Sequence, residues 1–433
     1  SIPLFLMGLG RLALLGPDEP RYAEVAREML TTHDFISPRL CGCLWFEKPV
    51  LYYWMAAASY AMLGINEFAA RLPSAASAIA SVIFLFYGLR RRISSRFAFF
   101  VCLALMTSPL FFGFARAAVT DMPLTAAVTV SLTALYLAVT CKGRERMAFW
   151  LIACAATGMA VLAKGLVGLA LFVLIGLISF AIAREWTLIG WRSLLLGGVV
   201  FLAVCAIWYG PVIFRHGWPF IQDFIINHHF KRYLTNEFHH PEPLYFYPFI
   251  ILAGLVPWTF YLIPSAACLR SAFKTEPPKI RYLVILAWTW LLTPLLFFSL
   301  SESKLPSYVL PAFPGAAILI GLQLDRLWVS NSGRSLVLAN WLTVIAVISL
   351  AAALPVYLHT QSIEPNAAGG MFEWLPLVLA VVGGLSLAAR KPRHSIACTA
   401  LFVPVLLMAG LKLVLPGIEP RVGLKELSVA AAN

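Results

Sequence analysis

The chain of 433 residues is 61% hydrophobic and only 12% charged, with a mean hydropathy of +0.83. Soluble domains carry about 25% charged and 45–50% apolar residues, so this composition excludes a water-soluble enzyme. It also excludes a disordered chain and a secreted scaffold held by disulfides. Many apolar runs approach the roughly 20 residues that cross a bilayer, and the alternating pattern of an outer-membrane barrel is absent. The sequence therefore predicts an all-α polytopic integral membrane protein.

Thirteen apolar runs are predicted to be transmembrane helices. The first ends before Leu15, and the others are Pro73–Leu89, Phe97–Phe114, Met122–Thr140, Met147–Ala163, Gly165–Ala183, Ser193–Ile213, Pro248–Leu269, Tyr282–Leu300, Val309–Leu324, Ser335–Leu358, Phe372–Ala389 and Ser395–Pro416. A further run, Pro49–Gly64, is short and has charged residues close to both ends. We expect it to lie flat at the membrane interface, because counting it as a span would place Arg90, Arg91 and Arg92 outside.

The net charge of +13 is divided unevenly between the two sides of these spans. The loops that follow the even-numbered spans, which all lie on one side of the membrane, hold 18 basic and four acidic residues. The rest of the chain holds 15 basic and 16 acidic residues. Positive charge collects in cytoplasmic loops, so the excess indicates topology and not a nucleic-acid partner. The prediction is an N-terminus in the cytoplasm and a C-terminus outside.

A single membrane domain is predicted for residues 1–416, followed by a short outer tail at 417–433. Three outer segments are long or unusually polar, namely 15–72, 214–247 and 301–308. In the first of them, Pro20 suits the first position of a helix. Apolar residues between Tyr22 and Leu30 then recur at helical spacing opposite charged ones, which predicts a short amphipathic helix on the membrane surface.

Ionisable residues at the membrane boundary are costly, so each one is a candidate functional residue. Asp18 and Glu19 precede the amphipathic helix, and a cap on that helix is the structural alternative, which suits Glu19 better than Asp18. Glu47 and Lys48 suit the binding of a lipid phosphate, with or without a metal. Their structural alternative is an interfacial belt in which Lys48 extends its ammonium to the headgroups.

Further candidates lie at the ends of later spans. Arg116 and Asp121 mark the outer end of the third span, where an ion pair between them is the structural alternative. Neighbouring histidines on a helix point in different directions, so His228 and His229 are not expected to bind one ion together. One of them, joined by a distant carboxylate such as Asp121 or Glu47, would form a hard-cation or zinc site.

The candidates share one face of the membrane. None lies in the middle of a span, where a proton relay or a coupling-ion site would be. They are Asp18, Arg21, Glu47, Lys48, Arg116, Asp121, Lys164, His229, Arg232, Lys304 and Tyr308. This placement favours chemistry on a lipid-anchored phosphate at the outer surface. The alternative is a lipid-linked sugar flippase or transporter, which needs functional polar groups at mid-membrane depth.

Four motifs resemble one known family. They are DEPRYAE at 18–24, FEKP at 46–49, NEFAARLP at 66–73 and KLPSY at 304–308. The chain resembles bacterial members of the protein-mannosyltransferase superfamily, and most of all the lipid A aminoarabinose transferases, from the first span to about residue 325. The resemblance implies a membrane glycosyltransferase of the GT-C fold, with about 13 transmembrane helices plus periplasmic juxtamembrane amphipathic helices.

The resemblance also implies roles for single residues. Asp18 resembles the essential aspartate, as a general base or as the group that orients the sugar, and Asp121 matches a further acid of the same cavity. The residues implied in binding the donor phosphate are Arg21, Tyr22, Lys48, Arg232, Lys304 and Tyr308. Glu47, with His229 or His228, resembles the ligands of a divalent metal, with zinc as the ion named.

The implied partners are a polyprenyl-phosphate sugar as donor and a cell-envelope acceptor. The implied location is the bacterial inner membrane, with a monomeric protein whose site faces the periplasm. Aminoarabinose transferases continue beyond the thirteenth span into a periplasmic domain, whereas here only residues 417–433 follow. The acceptor therefore stays open between lipid A, another glycolipid, a glycan and a protein.

Overall fold

The computed structural model describes residues 2–186, 190–222, 224, 242–266, 276–329, 334–360, 378–384, 386 and 391–413. Helices form most of this part of the chain. The first half contains α1 (Ile2–Leu6), α2 (Asp18–Thr32), β1 (Arg39–Leu40), β2 (Cys43–Leu44), α3 (Leu51–Leu63), α4 (Glu67–Arg92), α5 (Ser95–Met106), α6 (Pro109–Phe114), α7 (Asp121–Thr140), α8 (Gly143–Lys164) and α9 (Leu166–Ala183).

The second half continues with long apolar helices. They are α10 (Trp191–Phe220), α11 (Phe246–Gly254), α12 (Trp258–Ala266), α13 (Pro278–Ser299), α14 (Phe313–Val329), α15 (Arg334–Thr360) and α16 (Pro392–Leu413). A 3₁₀ segment, Pro306–Ala312, runs directly into α14. Within the described residues, eight helical segments are long and apolar enough to cross a membrane, or nine if α11 and α12 together form one broken span.

Two of the predicted spans, Phe97–Phe114 and Pro248–Leu269, are each divided into two helices in the structure. The run Phe97–Phe114 divides into α5 and α6, and Pro109 begins α6 at a position where its missing N–H is harmless. The run Pro248–Leu269 divides into α11 and α12, whose axes differ by 107°. Pro257 lies in that break and has no N–H with which to continue a helix.

The predicted amphipathic helix is present as α2, but it begins at Asp18, two residues before the predicted start at Pro20. Its charged side is not uniformly exposed. Glu28 is buried, and its two carboxylate oxygens accept from the Gly42 N–H at 3.1 and 3.3 Å. Gly42 lies in the tight turn of the β1–β2 hairpin with φ of +78°, so the hairpin covers this side of α2.

Helix α3 corresponds to the apolar run predicted to lie flat. Its 13 residues extend for about 20 Å, which is less than the roughly 30 Å hydrocarbon core of a bilayer. Tyr52 and Tyr53 of α3 are fully buried, and each ring lies 6.1 Å from the ring of Tyr22 on α2. The two short helices therefore pack on each other through tyrosines.

Helices α7 and α10 differ sharply in their surroundings. In α7, 83% of the most apolar stretch is buried inside the protein, whereas in α10 the share is 17%. One end of α10 nevertheless packs on the segment 15–72, because Trp208 donates to the Ile36 carbonyl at 2.9 Å. Near a kink at Gly217, whose φ is +58°, the rings of His216 and Phe220 lie 5.1 Å from the ring of Phe46.

Small residues allow α14 to approach its neighbours closely. A Cβ at Gly315 would lie 2.9 Å from the Ala287 carbonyl oxygen of α13, and a Cβ at Gly321 would collide with Val101 of α5. Close backbone contact of this kind drives helix association in membranes, where burial of apolar surface adds little. Helices α5, α13 and α14 are thus packed closely together.

Candidate functional site

Two neighbouring carboxylates occupy the first turn of α2, and one of them is buried. Glu19 is 5% exposed and pairs with Arg71 of α4 at 2.7 Å. Its oxygens also accept from the backbone N–H groups of Leu15 and Ala118, both at 2.6 Å. Arg71 donates in addition to the carbonyl oxygens of Leu9, Leu12 and Ala13. We call Glu19 and Arg71 the closed cluster.

The closed cluster changes the interpretation of Glu19. A cap on α2 was its structural alternative, yet the helix has no side-chain hydrogen bond at its N-cap residue, Pro17. Glu19 instead joins α2 to α4 and to the segment that leads into α7. Arg71 lies inside the NEFAARLP motif, but the sequence analysis assigns it no role.

The second carboxylate, Asp18, belongs to a chain of charges that is partly open. The Arg21 guanidinium lies 3.3 Å from an Asp18 oxygen and 3.7 Å from a Glu47 oxygen. Lys48 donates to the other Glu47 oxygen at 3.1 Å. The Asp18 side chain is 45% exposed, whereas those of Glu47 and Lys48 are 11% exposed. We call Asp18, Arg21, Glu47 and Lys48 the open cluster.

Tyr22 lies beside the open cluster and is 4% exposed. Burial, followed by the negative charges of Glu47, Asp18 and Asp121, raises the pKa of its hydroxyl well above the ordinary value. The phenol therefore stays protonated and can donate to an anion. The same influence indicates that Asp121 lies near the open cluster.

Asp121 opens α7, and Lys164 closes α8. Because consecutive antiparallel helices bring these ends together, the two side chains form an ion pair. The Lys164 ammonium also lies 4.2 Å from the centre of the Tyr308 ring. The structural alternative of an ion pair between Asp121 and Arg116 is wrong, since Arg116 donates to main-chain carbonyl oxygens instead.

The segment 301–308 contributes a buried cation. Lys304 is 7% exposed, and among the described residues no carboxylate lies within 4 Å of its ammonium. The neighbouring Ser303 hydroxyl is buried without a described hydrogen-bond partner. A buried ammonium is costly unless an anion compensates it, so this segment suits a negatively charged ligand.

Three predicted site residues, His228, His229 and Arg232, lie outside the described residues. Of the metal ligands that the resemblance implies, only Glu47 is described, and it pairs with Lys48 and Arg21; the alternative carboxylate, Asp121, pairs with Lys164. The described part of the chain contains no group of three His, Cys, Asp or Glu side chains that fits a metal ion. The described residues therefore do not form a metal site by themselves.

The arrangement combines one accessible carboxylate with several cations at an apolar boundary. Asp18 can orient a substrate or accept a proton, while Arg21, Lys48 and Lys304 can compensate a phosphate. Tyr22 can add a neutral donor. The geometry suits the departure of a phosphate group from a carbon centre.

Comparison with known proteins places the chain among membrane glycosyltransferases. Residues 47–209 match the family described as dolichyl-phosphate-mannose-protein mannosyltransferase. The chain is 35% identical over 372 residues to undecaprenyl phosphate-alpha-4-amino-4-deoxy-L-arabinose arabinosyl transferase 2 of Pseudomonas fluorescens (strain Pf0-1), which covers 82% of this chain and 65% of that protein. The enzyme of the same name from Pseudomonas paraeruginosa, without the final number, is 35% identical over 393 residues, or 89% of this chain and 68% of that protein. The chain thus spans about two thirds of the length of these relatives.

Solved structures give the same result. Crystalline ArnT from Cupriavidus metallidurans bound to undecaprenyl phosphate superposes with a TM-score of 0.80 at 28% identity, covering 96% of this chain and 75% of that one. The Archaeoglobus fulgidus oligosaccharyltransferase in complex with Zn and sulfate has a TM-score of 0.50 at 12% identity, over 90% of this chain and 49% of that one. The second likeness concerns the fold alone.

Proposed function

Because the chain belongs to the family of undecaprenyl phosphate-aminoarabinose arabinosyl transferases, we propose that it transfers a sugar from undecaprenyl phosphate to an envelope acceptor. The predicted GT-C membrane fold is confirmed by the likeness to ArnT. The donor is an aminoarabinosyl or related undecaprenyl phosphate, and the acceptor is lipid A or a similar phosphorylated glycolipid. The observation that carries the proposal is the open cluster, where Asp18 remains accessible beside cations at an apolar boundary.

The chemical step is a displacement at the anomeric carbon of the sugar. An acceptor oxygen forms a bond to that carbon while the bond to the carrier phosphate oxygen breaks. The electron pair leaves with undecaprenyl phosphate, whose growing negative charge Lys48, Arg21 and Lys304 stabilise. An ionised phosphate acceptor brings no proton to remove, so Asp18 then orients the sugar; with an alcohol acceptor, Asp18 takes the proton.

A divalent metal also belongs to the proposal. Its ligands would be Glu47, which lies within the described residues, and His229 or His228, which do not. When bound, such an ion would neutralise charge on the leaving phosphate. The step above does not depend on it, because the described residues offer no complete ligand set. Measurement of the metal content of purified wild type beside Glu47→Gln tests this part.

The location belongs to the proposal too. The chain has many apolar helices and is a multi-pass membrane protein. The distribution of charge between the loops supports an inner-membrane protein whose open cluster faces the periplasm, with a cytoplasmic N-terminus. We propose that one copy of the chain is sufficient for activity.

The test is transfer by purified protein in nanodiscs, with undecaprenyl-phosphate aminoarabinose as donor and lipid A as acceptor. We expect Asp18→Asn to lower kcat by about 10²–10⁴-fold, because it removes the accessible carboxylate. Lys48→Ala should raise the donor KM and also lower kcat, because Lys48 binds the donor phosphate and stabilises the charge that grows on it as it leaves. Full activity of both variants would contradict the proposal, and transbilayer movement of the donor without acceptor would support the flippase alternative.

A further inference from the structure

A cavity of about 370 Å³ opens beside Asp18, and the open cluster does not account for it. Its walls come from residues 8–19, from residues 113–119 at the end of α6 and before α7, from Arg71 of α4 and from Leu411 of α16. The volume falls within the range of about 300–1,000 Å³ that is usual for small-molecule sites. Asp18 therefore belongs both to the open cluster and to the wall of this cavity.

Arg116 brings a positive charge to the cavity wall. Its guanidinium donates to the carbonyl oxygens of Leu4, Phe5 and Met7, at 3.3, 2.9 and 2.8 Å. Within the described residues, no carboxylate lies within 4 Å of it. Burial and the charge of Arg71 lower the Arg116 pKa to about 10, so the group remains charged at neutral pH.

A second arginine side chain, that of Arg11, lies close to Gly8, as that of Arg116 does. A Cβ built on Gly8 would lie 3.4 Å from the Arg11 side chain and 3.9 Å from a terminal nitrogen of Arg116. Gly8 also has a φ of +69°, which other residues rarely adopt. The two arginines therefore flank a glycine at the wall of the cavity, and Arg71 is already engaged with Glu19.

Most of the remaining wall is apolar. The apolar side chains are Leu9, Leu12, Leu15, Phe114, Val119 and Leu411. A small free anion would leave these surfaces unfilled, whereas an anion attached to a larger amphiphile would cover them. The donor phosphate already has its own cations in Lys48 and Lys304, which lie outside this wall.

We propose that this cavity binds the phosphorylated headgroup of the acceptor lipid, with Arg116 as the residue that binds its phosphate. The inference rests on the proposed function and adds the acceptor subsite to it. Asp18 then lies between the two substrates, with the donor phosphate on the side of Lys48 and the acceptor on the side of Arg116. Arg116 binds the acceptor and does not participate in breaking the donor bond.

The first test measures equilibrium binding to purified protein in nanodiscs. The probes are diphosphoryl lipid A, lipid A from which both phosphates have been removed, and undecaprenyl phosphate. Arg116→Gln should weaken the binding of diphosphoryl lipid A by about 10- to 100-fold, which is the usual effect of losing a charge-assisted hydrogen bond. Binding of the dephosphorylated lipid and of undecaprenyl phosphate should not change, and Arg116→Lys should retain most of the affinity.

The matched control for this variant is Arg393→Gln. Arg393 also donates to a main-chain carbonyl oxygen, that of Trp328 at 2.7 Å, but it does not line the cavity. Its loss should leave all three affinities unchanged. Inorganic phosphate should not displace the bound lipid A, and displacement at equal concentration would overturn the assignment to a lipid-borne anion.

The second test fills the cavity without removing a bond. Gly113 of α6 lines the cavity, and a Cβ placed on it would meet no atom within 4 Å. Gly113→Leu should therefore fold normally and weaken binding of diphosphoryl lipid A, with Gly113→Ala between it and wild type. Gly198→Leu on α10, where a Cβ also meets nothing, is the control and should bind normally.

The outcomes separate this inference from the proposed function. If wild type transfers no sugar but Arg116→Gln and Gly113→Leu both lose lipid A binding, the acceptor subsite stands and the proposed activity fails. If wild type transfers sugar and both variants keep full lipid A affinity and acceptor KM, the subsite is wrong while the activity stands. Equal loss of undecaprenyl phosphate binding in both variants would also overturn it.

Discussion

Asp18 and Glu19 are consecutive residues of one helical turn. Asp18 belongs to the open cluster and Glu19 to the closed one, and their carboxylates differ in exposure and in hydrogen bonding. Glu19 is 5% exposed and accepts from two backbone N–H groups in addition to Arg71. Asp18 keeps a side chain that is 45% exposed and has one contact of 3.3 Å with Arg21. A carboxylate whose acceptor sites are filled stabilises the fold, whereas one with unfilled sites remains available to a ligand.

Breaking the closed cluster should have the largest effect on stability. Glu19→Gln leaves Arg71 as an uncompensated buried charge, so we expect the free energy of unfolding to fall by about 3–5 kcal/mol. Chemical unfolding of the purified protein in detergent measures it. Asp18→Asn is the matched control and should unfold near wild type while losing transfer. Equal destabilisation by the two substitutions would erase the distinction between the clusters.

Lys304 sharpens the comparison, because it is a buried cation on the side of the ligand. Lys304→Met removes a charge that the described residues do not compensate, so the free protein should become more stable by about 1–3 kcal/mol. Binding of undecaprenyl phosphate should weaken at the same time. Lys279→Met, at an exposed position of α13, should change neither. A Lys304→Met protein that is less stable and still binds donor normally would assign the lysine a structural role.

The smallest effect is expected at the half-buried pair of Glu24 and Arg27 on α2. The hydrogen bond from Arg27, against a contrary effect of burial, lowers the pKa of Glu24. The pair therefore contributes to the free energy of unfolding above the ordinary glutamate pKa. This contribution is lost as the pH falls through the lower pKa that Glu24 has in the folded protein. Arg27→Gln should lower the free energy of unfolding by less than about 1 kcal/mol at neutral pH and should not change it in acid. Unfolding at several pH values measures this. A cost that persists in acid would indicate packing and not the ion pair.

The sequence predicts the open cluster better than the closed one. Asp18 and Arg21 are close in sequence, as are Glu47 and Lys48, and both pairs lie on one predicted face, so their association is consistent with the predicted topology. Glu19 and Arg71 are 52 residues apart and meet only through the packing of α2 on α4. The hydrophobic periodicity of the sequence does not indicate which helices pack on each other.

The pair of Asp121 and Lys164 lies between these two cases. Two consecutive spans place the start of one and the end of the next on the same side, so a signal for this pair existed in the predicted topology. The structural alternative paired Asp121 with Arg116 instead, because Arg116 is nearer in sequence. Distance along the chain was the wrong criterion, since the rigid α7–α8 hairpin determines which side chains meet.

Helix positions were predicted more reliably than helix continuity. The runs that became α7, α8, α9 and α13 agree with the structure to within a few residues. The 107° break between α11 and α12 was missed, because hydropathy records which residues avoid water and not the direction of the chain. Pro257 was the available local signal, although prolines also lie inside the continuous helices α4 and α13.

The contact between α10 and Phe46 connects the chemistry to the surrounding lipid. Only 17% of the apolar stretch of α10 is buried inside the protein, so most of its side chains lie on the surface, where the acyl chains of a bilayer would contact them. The C-terminal end of α10 contacts Phe46 through His216 and Phe220, and the next residue in the chain is Glu47 of the open cluster. A change in bilayer thickness that tilted α10 would therefore reach Glu47 through the contact with Phe46. The bilayer would then act on the site mechanically, in addition to dissolving the donor.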